Sequence, residues 1–225
     1  MATLTSEMHQ ATKMVHRELE RTLWVKHLMK GKLQPMAYLD YLNSLYAIYS
    51  TMENAMRAHP ENVAASCFNI PAVLRSDSLK SDIKFFETLC DASPSTRKTR
   101  SSVQTYTARL NQLSETDPSL LLSHCYVRYL GDMMGGQHIR KHLSQYWKRH
   151  DGMSMVDEDK GLAFYRFPST HVKDIAMTTK RDMDELKLSQ EERDKMIDEA
   201  VTAFELNKQL FVELQEDYIE ATMEN

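Results

Sequence analysis

Apolar residues recur three and four apart along this 225-residue chain, helix-ending residues punctuate them, and strand signals are scarce. Over about residues 5–29, Met8, Ala11, Val15, Leu19 and Leu23 form one such stripe. Gly31 is placed to end that helix, and Pro35 suits the first turn of the next. The second helix, about 35–57, carries Leu39, Leu42, Tyr46, Tyr49, Met52 and Met56 down one face. Pro60 and Pro71 bracket a looser connection, with further helices expected at about 77–91 and 97–114. Asp117-Pro118 pairs a cap with a first-turn proline and opens a long helical segment over about 118–149. A loop over about 151–168, with room for a short extended piece, precedes a helix at about 169–187. Ser189 and Glu192 have the spacing of a capping box and start a last helix running to about 222. The expectation is an all-α protein, a single domain over residues 1–225, with roughly six to eight helices.

Composition narrows the class of function. The formal net charge of −4, with nine histidines counted neutral, argues against a nucleic-acid binder. Cys67, Cys90 and Cys125 are odd in number and widely spaced, so neither a disulfide framework nor a cysteine zinc site follows, and a reducing, cytoplasmic setting is the default. The N-terminus lacks the pattern of a secretory signal, and no apolar run approaches the roughly 20 residues a membrane span needs. A C-terminal anchor on a longer natural chain would leave no trace here. The chain is expected to act as a monomer.

The segment 129–143, YLGDMMGGQHIRKHL, sits inside the long helix yet holds Gly131, Gly135 and Gly136, three of the six glycines in the chain. Each costs about 1 kcal/mol relative to alanine in a helix interior. Gly131 and Gly135, four apart, leave a groove on one face, open either to a flat or bulky ligand or to a close-packed neighbouring helix. Asp132 beside them must be hydrated, paired or functional, because an unpaired buried charge is costly. Arg128, one turn earlier, is its obvious partner, and Tyr126 and Tyr129 add hydroxyls close by.

His16 borders the apolar stripe of the first helix, where a neutral imidazole can ligate a metal or haem iron, or simply bond backbone or water as a core histidine. Lys13 and His9 lie three and seven residues before it on the same face, either as partners for an anion or as a solvated edge. His138 and His142 could reach one metal, with His124 a distant third, but no HExxH accompanies them. Arg140, Lys141, Lys148 and Arg149 make that stretch read as a basic face instead. The fifteen methionines read as adaptable core filler. The Glu-x-x-His pair of a di-iron bundle, a Gly-x-Ser-x-Gly elbow, a phosphate loop and a dinucleotide fingerprint are all missing from the sequence.

Four blocks carry a family resemblance. ATKMVHRELE followed by KGKLQPMAYLDYLNSLYAIYSTME resembles the first two helices of haem oxygenases, and YVRYLGDMMGGQ resembles that family's distal-helix signature. GLAFYRFP and EAVTAFELNKQLFVEL resemble its later elements in the right order, so the likeness spans about residues 8 to 215. The resemblance implies haem sandwiched between two helices, with His16 as the proximal iron ligand. It implies that the backbone of Gly131, Gly135 and Gly136 lies against the porphyrin, that Asp132 holds a water network, and that Tyr49, Arg128 and Asn207 belong to that network. Tyr126 and Lys13 match residues that meet the propionates, and Phe204 and Phe211 match aromatic residues of the pocket wall. Three departures stand out: Met133-Met134 replaces the common leucine-serine, His9 replaces a frequent lysine, and 171–180 matches poorly, leaving Lys180 or Arg181 for a propionate.

The implied reaction opens haem oxidatively to biliverdin, releasing iron and carbon monoxide. Haem is then both substrate and cofactor, O2 is consumed, and electrons come from a separate flavoprotein reductase or ferredoxin, because the sequence has no flavin, nicotinamide or iron–sulfur motif. Rival readings are a haem carrier or sensor of the same fold that does not turn over, and an unrelated helical enzyme acting on a small organic substrate.

Overall fold

The structure, a computed structural model, describes residues 2–68, 70–93, 99–150, 160–167 and 172–220. The stripe expected over 5–29 forms two helices, α1 (Leu4–Arg21) and α2 (Leu23–Met29). Thr22 divides them. Its backbone is extended, its hydroxyl donates to the Leu19 carbonyl at 2.8 Å, and its oxygen accepts from the Val25 amide at 3.3 Å. One side chain therefore ends one helix and caps the next, while the apolar stripe continues across the break. Beyond α2, Gly31 has φ +69°, and a side chain there would run into the His142 backbone carbonyl. Only glycine satisfies both demands.

Helix α3 (Pro35–Ala58) starts on its proline as expected and carries Tyr38, Leu42, Leu45, Tyr49 and Met52 into the core. The connection between the two prolines holds a further helix, α4 (Val63–Phe68), too short to show a period, with the Asn62 side chain accepting from the Ala64 amide. Next come α5 (Ser76–Leu89) and α6 (Ser101–Thr116), both packed on α3; part of the segment expected to lead into α6, residues 94–98, lies outside the described residues.

The long segment expected from 118 changes its hydrogen-bond period along its length. A 3-10 turn (Pro118–Leu120) leads into α7 (Leu121–Cys125), then a π turn (Tyr126–Leu130), then α8 (Gly131–His150). After it, Ala163–Tyr165 is a 3-10 turn where a short extended piece was allowed for; residues 151–159 and 168–171, which cover the rest of that loop and the expected start of the next helix, lie outside the described residues. Asp82 of α5 holds the turn by accepting from the Ala163 and Phe164 amides at 2.9 and 2.7 Å. Helix α9 (Val172–Asp184) follows, and α10 (Gln190–Gln215) opens with the Ser189–Glu192 capping box fully formed. Ten α-helices are thus described where six to eight were expected, and no strand occurs among the described residues.

α10 packs along α1, and α8 packs against α2 and α9. This leaves the outward face of α1 opposite the first turns of α8. No described helix is long and apolar enough to cross a membrane.

Candidate active site

A groove of about 380 Å³ runs between α1 and the junction of the π turn with α8. On the α1 wall, His9, Lys13 and His16 face it from successive turns, with Thr12 and Arg17 beside them. Val127, Leu130, Gly131 and Met134 form the other wall, and Tyr126, Lys180 of α9 and Phe204 of α10 complete it. A larger cavity of about 890 Å³ lies near Arg140, half a turn around α8 from Gly131. It contains neither His16 nor the glycines, and its buried Arg75 and Glu53 are engaged with backbone groups, so size does not make it the site.

The His16 side chain is 48% exposed, with its ring set edge-on to Phe204 at 5.3 Å and 89°. Its Nδ1 lies 3.7 Å from the Glu20 carboxylate one turn on, which leaves Nε2 as the nitrogen available to a ligand. Across the groove, a Cβ added to Gly131 or Gly135 would find no atom within 4 Å. Neither glycine is explained by helix packing, so the alternative left open by spacing falls away at these two positions. Gly136 differs: a Cβ there would sit 2.5 Å from the Tyr165 ring, so its missing side chain makes room for the 3-10 turn and not for the groove. The methionines separate too, Met133 being buried while Met134 is 53% exposed and lines the groove.

Behind the glycines lies a chain of buried polar groups. Arg128 donates to Asp132 Oδ2 at 2.8 Å and to Asn207 Oδ1 at 2.7 Å, and the Tyr49 hydroxyl donates to the same Asp132 oxygen. Burial raises the Asp132 carboxyl pKa from its ordinary value against the opposing pull of Arg128 and Tyr49. Asn207 donates to the Tyr106 hydroxyl at 3.4 Å, Tyr106 meets His124 Nδ1 at 3.3 Å, and His124 Nε2 meets Glu199 at 2.8 Å. Arg109, about a third exposed, closes the chain by donating to Glu199 from Nε at 3.1 Å. Burial lowers the His124 pKa against the opposing pull of Glu199, and its ring links Tyr106 to Glu199. Burial alone would raise Glu199, but the bonds from His124 and Arg109 outweigh it and hold the carboxyl at about 2.

The structure therefore brings His9, Lys13, His16, Tyr126, Gly131, Lys180 and Phe204 to one groove, with Tyr49, Arg128, Asp132 and Asn207 directly behind it. Lys180 takes the groove position, while Arg181 points elsewhere and pairs with Asp182 at 3.4 Å. Phe211 does not line the groove. Two turns further along α10, it is buried against Tyr41 with ring centroids 5.9 Å apart. Thr12, Arg17 and the Tyr106–His124–Glu199 extension escaped sequence reasoning; only His124 had drawn notice, as a distant metal candidate.

Fold and groove define an all-α protein that sets a histidine on one helix against bare backbone on another, with buried charge behind that backbone. This chain belongs to the haem oxygenase family: the family model described as Heme oxygenase matches residues 2–213. It is 35% identical over 221 residues to heme oxygenase 1 of Bos taurus, covering 94% of this chain and 71% of that protein. Heme oxygenase 1 of Synechocystis is 32% identical over 221 residues, covering 97% and 87%. The crystal structure of the Synechocystis heme oxygenase-1 in complex with heme superposes with a TM-score of 0.84 at 31% identity, covering 98% of this chain and 96% of that one. The heme oxygenase of Leptospira interrogans gives 0.84 at 28% identity, covering 94% and 100%.

Proposed function

We propose that this chain is a haem oxygenase that holds haem in the α1–α8 groove and opens it to biliverdin, releasing iron and carbon monoxide. The reaction takes O2 and electrons delivered by a separate flavoprotein reductase or ferredoxin. One observation carries the reading. Gly131 lines the groove with empty space where a side chain would stand, Gly135 one turn on is equally open, and Asp132, between them in sequence, leads into a buried polar chain. A haem carrier has no use for such a chain.

The groove's donor set fits haem. His16 Nε2 would take the iron, and Lys13, Lys180, His9 and Tyr126 would face the propionates. Phe204, which packs on His16, would fix the ring's orientation. Haem supplies the iron that activates dioxygen and the porphyrin edge that is oxidised. The protein supplies space and protons. With no Cβ at Gly131, α8 offers backbone to the reacting face there, beside the Met134 side chain, and can crowd it sterically. Both protein bonds to Asp132 go to Oδ2, so Oδ1 is the atom left to order water beside the glycines. Water held at Oδ1 would relay protons toward the reacting face. Arg128, Tyr49 and Asn207 act as positioning residues that keep Oδ2 occupied.

The test is to load the protein with haemin and supply a reductant in air. The Soret band should collapse into biliverdin absorption; a stable band would mean a carrier, and no band would remove haem from the reading. Asp132→Ala should bind haemin but lose most biliverdin yield, and a normal yield would remove the proton role from Asp132.

A further inference from the structure

On α8 the stripe that begins with the groove-lining Gly131 and Met134 continues to His138 and His142, each one turn further along. The sequence alone made this stretch a basic face. The structure brings the two imidazoles together, with ring centroids 4.2 Å apart and planes tilted by 45°. Neither ring has a hydrogen-bond or ion-pair partner among the described residues. His138 is exposed and His142 partly so.

Two imidazoles on one helix face, four residues apart, can act as a chelate. With metal–nitrogen bonds of about 2.0–2.1 Å, two rings bound side by side on one ion place their centroids roughly 4.5–5 Å apart. The observed separation is short of that by a few tenths of an ångström, within the reach of small rotations of two partly exposed side chains.

We infer that His138 and His142 form a two-histidine site for a divalent transition-metal ion, distinct from the haem groove. No group of three or more His, Cys, Asp or Glu able to hold a metal occurs among the described residues, so water fills the remaining positions. An all-nitrogen pair selects Cu2+, Ni2+ or Zn2+ over Mg2+ and Ca2+, which need oxygen ligands. Lys141 and Arg140 on the same helix reinforce that choice, because they discourage any cation not held by strong nitrogen bonds. The bound ion ties His138 to His142 across one turn and stiffens α8 just past its three glycines. The two rings lie roughly 10 and 16 Å along the helix from Gly131, so the site is a clamp on the distal helix and not a second haem ligand.

The full chain, loaded with haemin so that His16 is engaged, is titrated with Zn2+ and with Cu2+. Zinc at about a hundredfold excess over its dissociation constant should raise Tm by roughly 5 °C. Copper should give an electron paramagnetic resonance spectrum with hyperfine splitting from two imidazole nitrogens. His138→Gln, at an exposed position, should abolish the Tm rise, lower copper affinity by roughly tenfold or more, and leave one nitrogen in the spectrum. His142→Gln should do the same, while His59→Gln, a histidine bonded to Ser114 away from both sites, leaves the metal titration unchanged. Repeating the titration on haem-free His16→Ala keeps the result independent of the haem assignment, since the pair should bind equally well there. Metal binding unchanged in both His138→Gln and His142→Gln, or a copper spectrum with a single nitrogen in the parent protein, overturns the proposal.

Discussion

The two walls of the groove are built on opposite plans. On the α1 wall, His16 is half-exposed, touches one carboxylate at 3.7 Å and one aromatic edge, and supports nothing behind it. On the α8 wall the groove meets glycine, and the chemistry sits one layer back, where Tyr49, Arg128, Asp132 and Asn207 are 0%, 6%, 9% and 2% exposed and bonded in series. A group with few partners can be removed at little cost to the fold. A buried charge pair cannot, because each member satisfies the other. Function and stability are therefore separable on the proximal side and coupled on the distal side, and that separation can be tested.

The largest expected effect is at Arg128. Arg128→Met leaves Asp132 buried with only the Tyr49 hydroxyl, and should cost about 3–5 kcal/mol of unfolding free energy by urea denaturation. A loss under 1 kcal/mol would mean that water already compensates Asp132 and that the distal wall is not coupled as described. The far end of the same network predicts a pH dependence. A carboxyl held at about 2, against 4.5 ordinarily, gives stability that is complete above pH 4.5 and lost as pH falls toward 2. With Arg109 a third exposed, the contribution is discounted to about 2 kcal/mol. His124, lowered by burial, adds a loss that begins as pH drops below its ordinary value, whereas Asp132, raised by burial, pushes the other way. Urea midpoints should therefore fall in acid, and Glu199→Gln should flatten the limb below pH 4.5; an unchanged limb would uncouple Glu199 from the network's stability.

Two neighbouring glycines sharpen the contrast within one helix. Gly136→Ala pushes a methyl against the fully buried Tyr165 ring and should cost about 1–3 kcal/mol. Gly131→Ala meets nothing and should stabilise the haem-free protein by up to about 1 kcal/mol. The same methyl enters the groove, so haemin affinity or biliverdin yield should drop in Gly131→Ala. Equal destabilisation by the two substitutions would show that both glycines serve packing.

Most of the helices were legible because their boundaries are written in local chemistry, as Pro35 and the Ser189–Glu192 box show. Thr22 was not, because two side-chain bonds to backbone break a helix there without disturbing its apolar stripe. Helix α4 was missed because six residues hold no period. At the site, spacing put His9, Lys13 and His16 on one face, and family likeness pointed to Tyr49 and Asn207 on distant helices. Phe204 and Phe211 lie seven apart on one face of α10, and only the path of that helix past α1 decides that the first borders the groove and the second the core. The Tyr106–His124–Glu199 chain joins three helices with no shared spacing, so nothing in the sequence marks it. The purpose of Gly136 lay equally out of reach, since it depends on a ring from across a loop.

The smallest stability effect belongs to the residue most exposed to loss of function. His16→Ala removes a side chain that is 48% exposed and whose ion-pair partner among the described residues, Glu20, is itself exposed, so its unfolding free energy should stay within about 0.5 kcal/mol of the parent. Haemin should still enter, because Lys13, Lys180 and the apolar wall formed by Val127 and Leu130 remain. What should vanish is the spectral signature of an axial imidazole, and added free imidazole should restore it by occupying the space left beside Phe204. Rescue by imidazole would locate the function of this wall in one ring nitrogen. An unchanged spectrum in His16→Ala would place the iron ligand elsewhere, and a large loss of stability would make the proximal wall as coupled as the distal one.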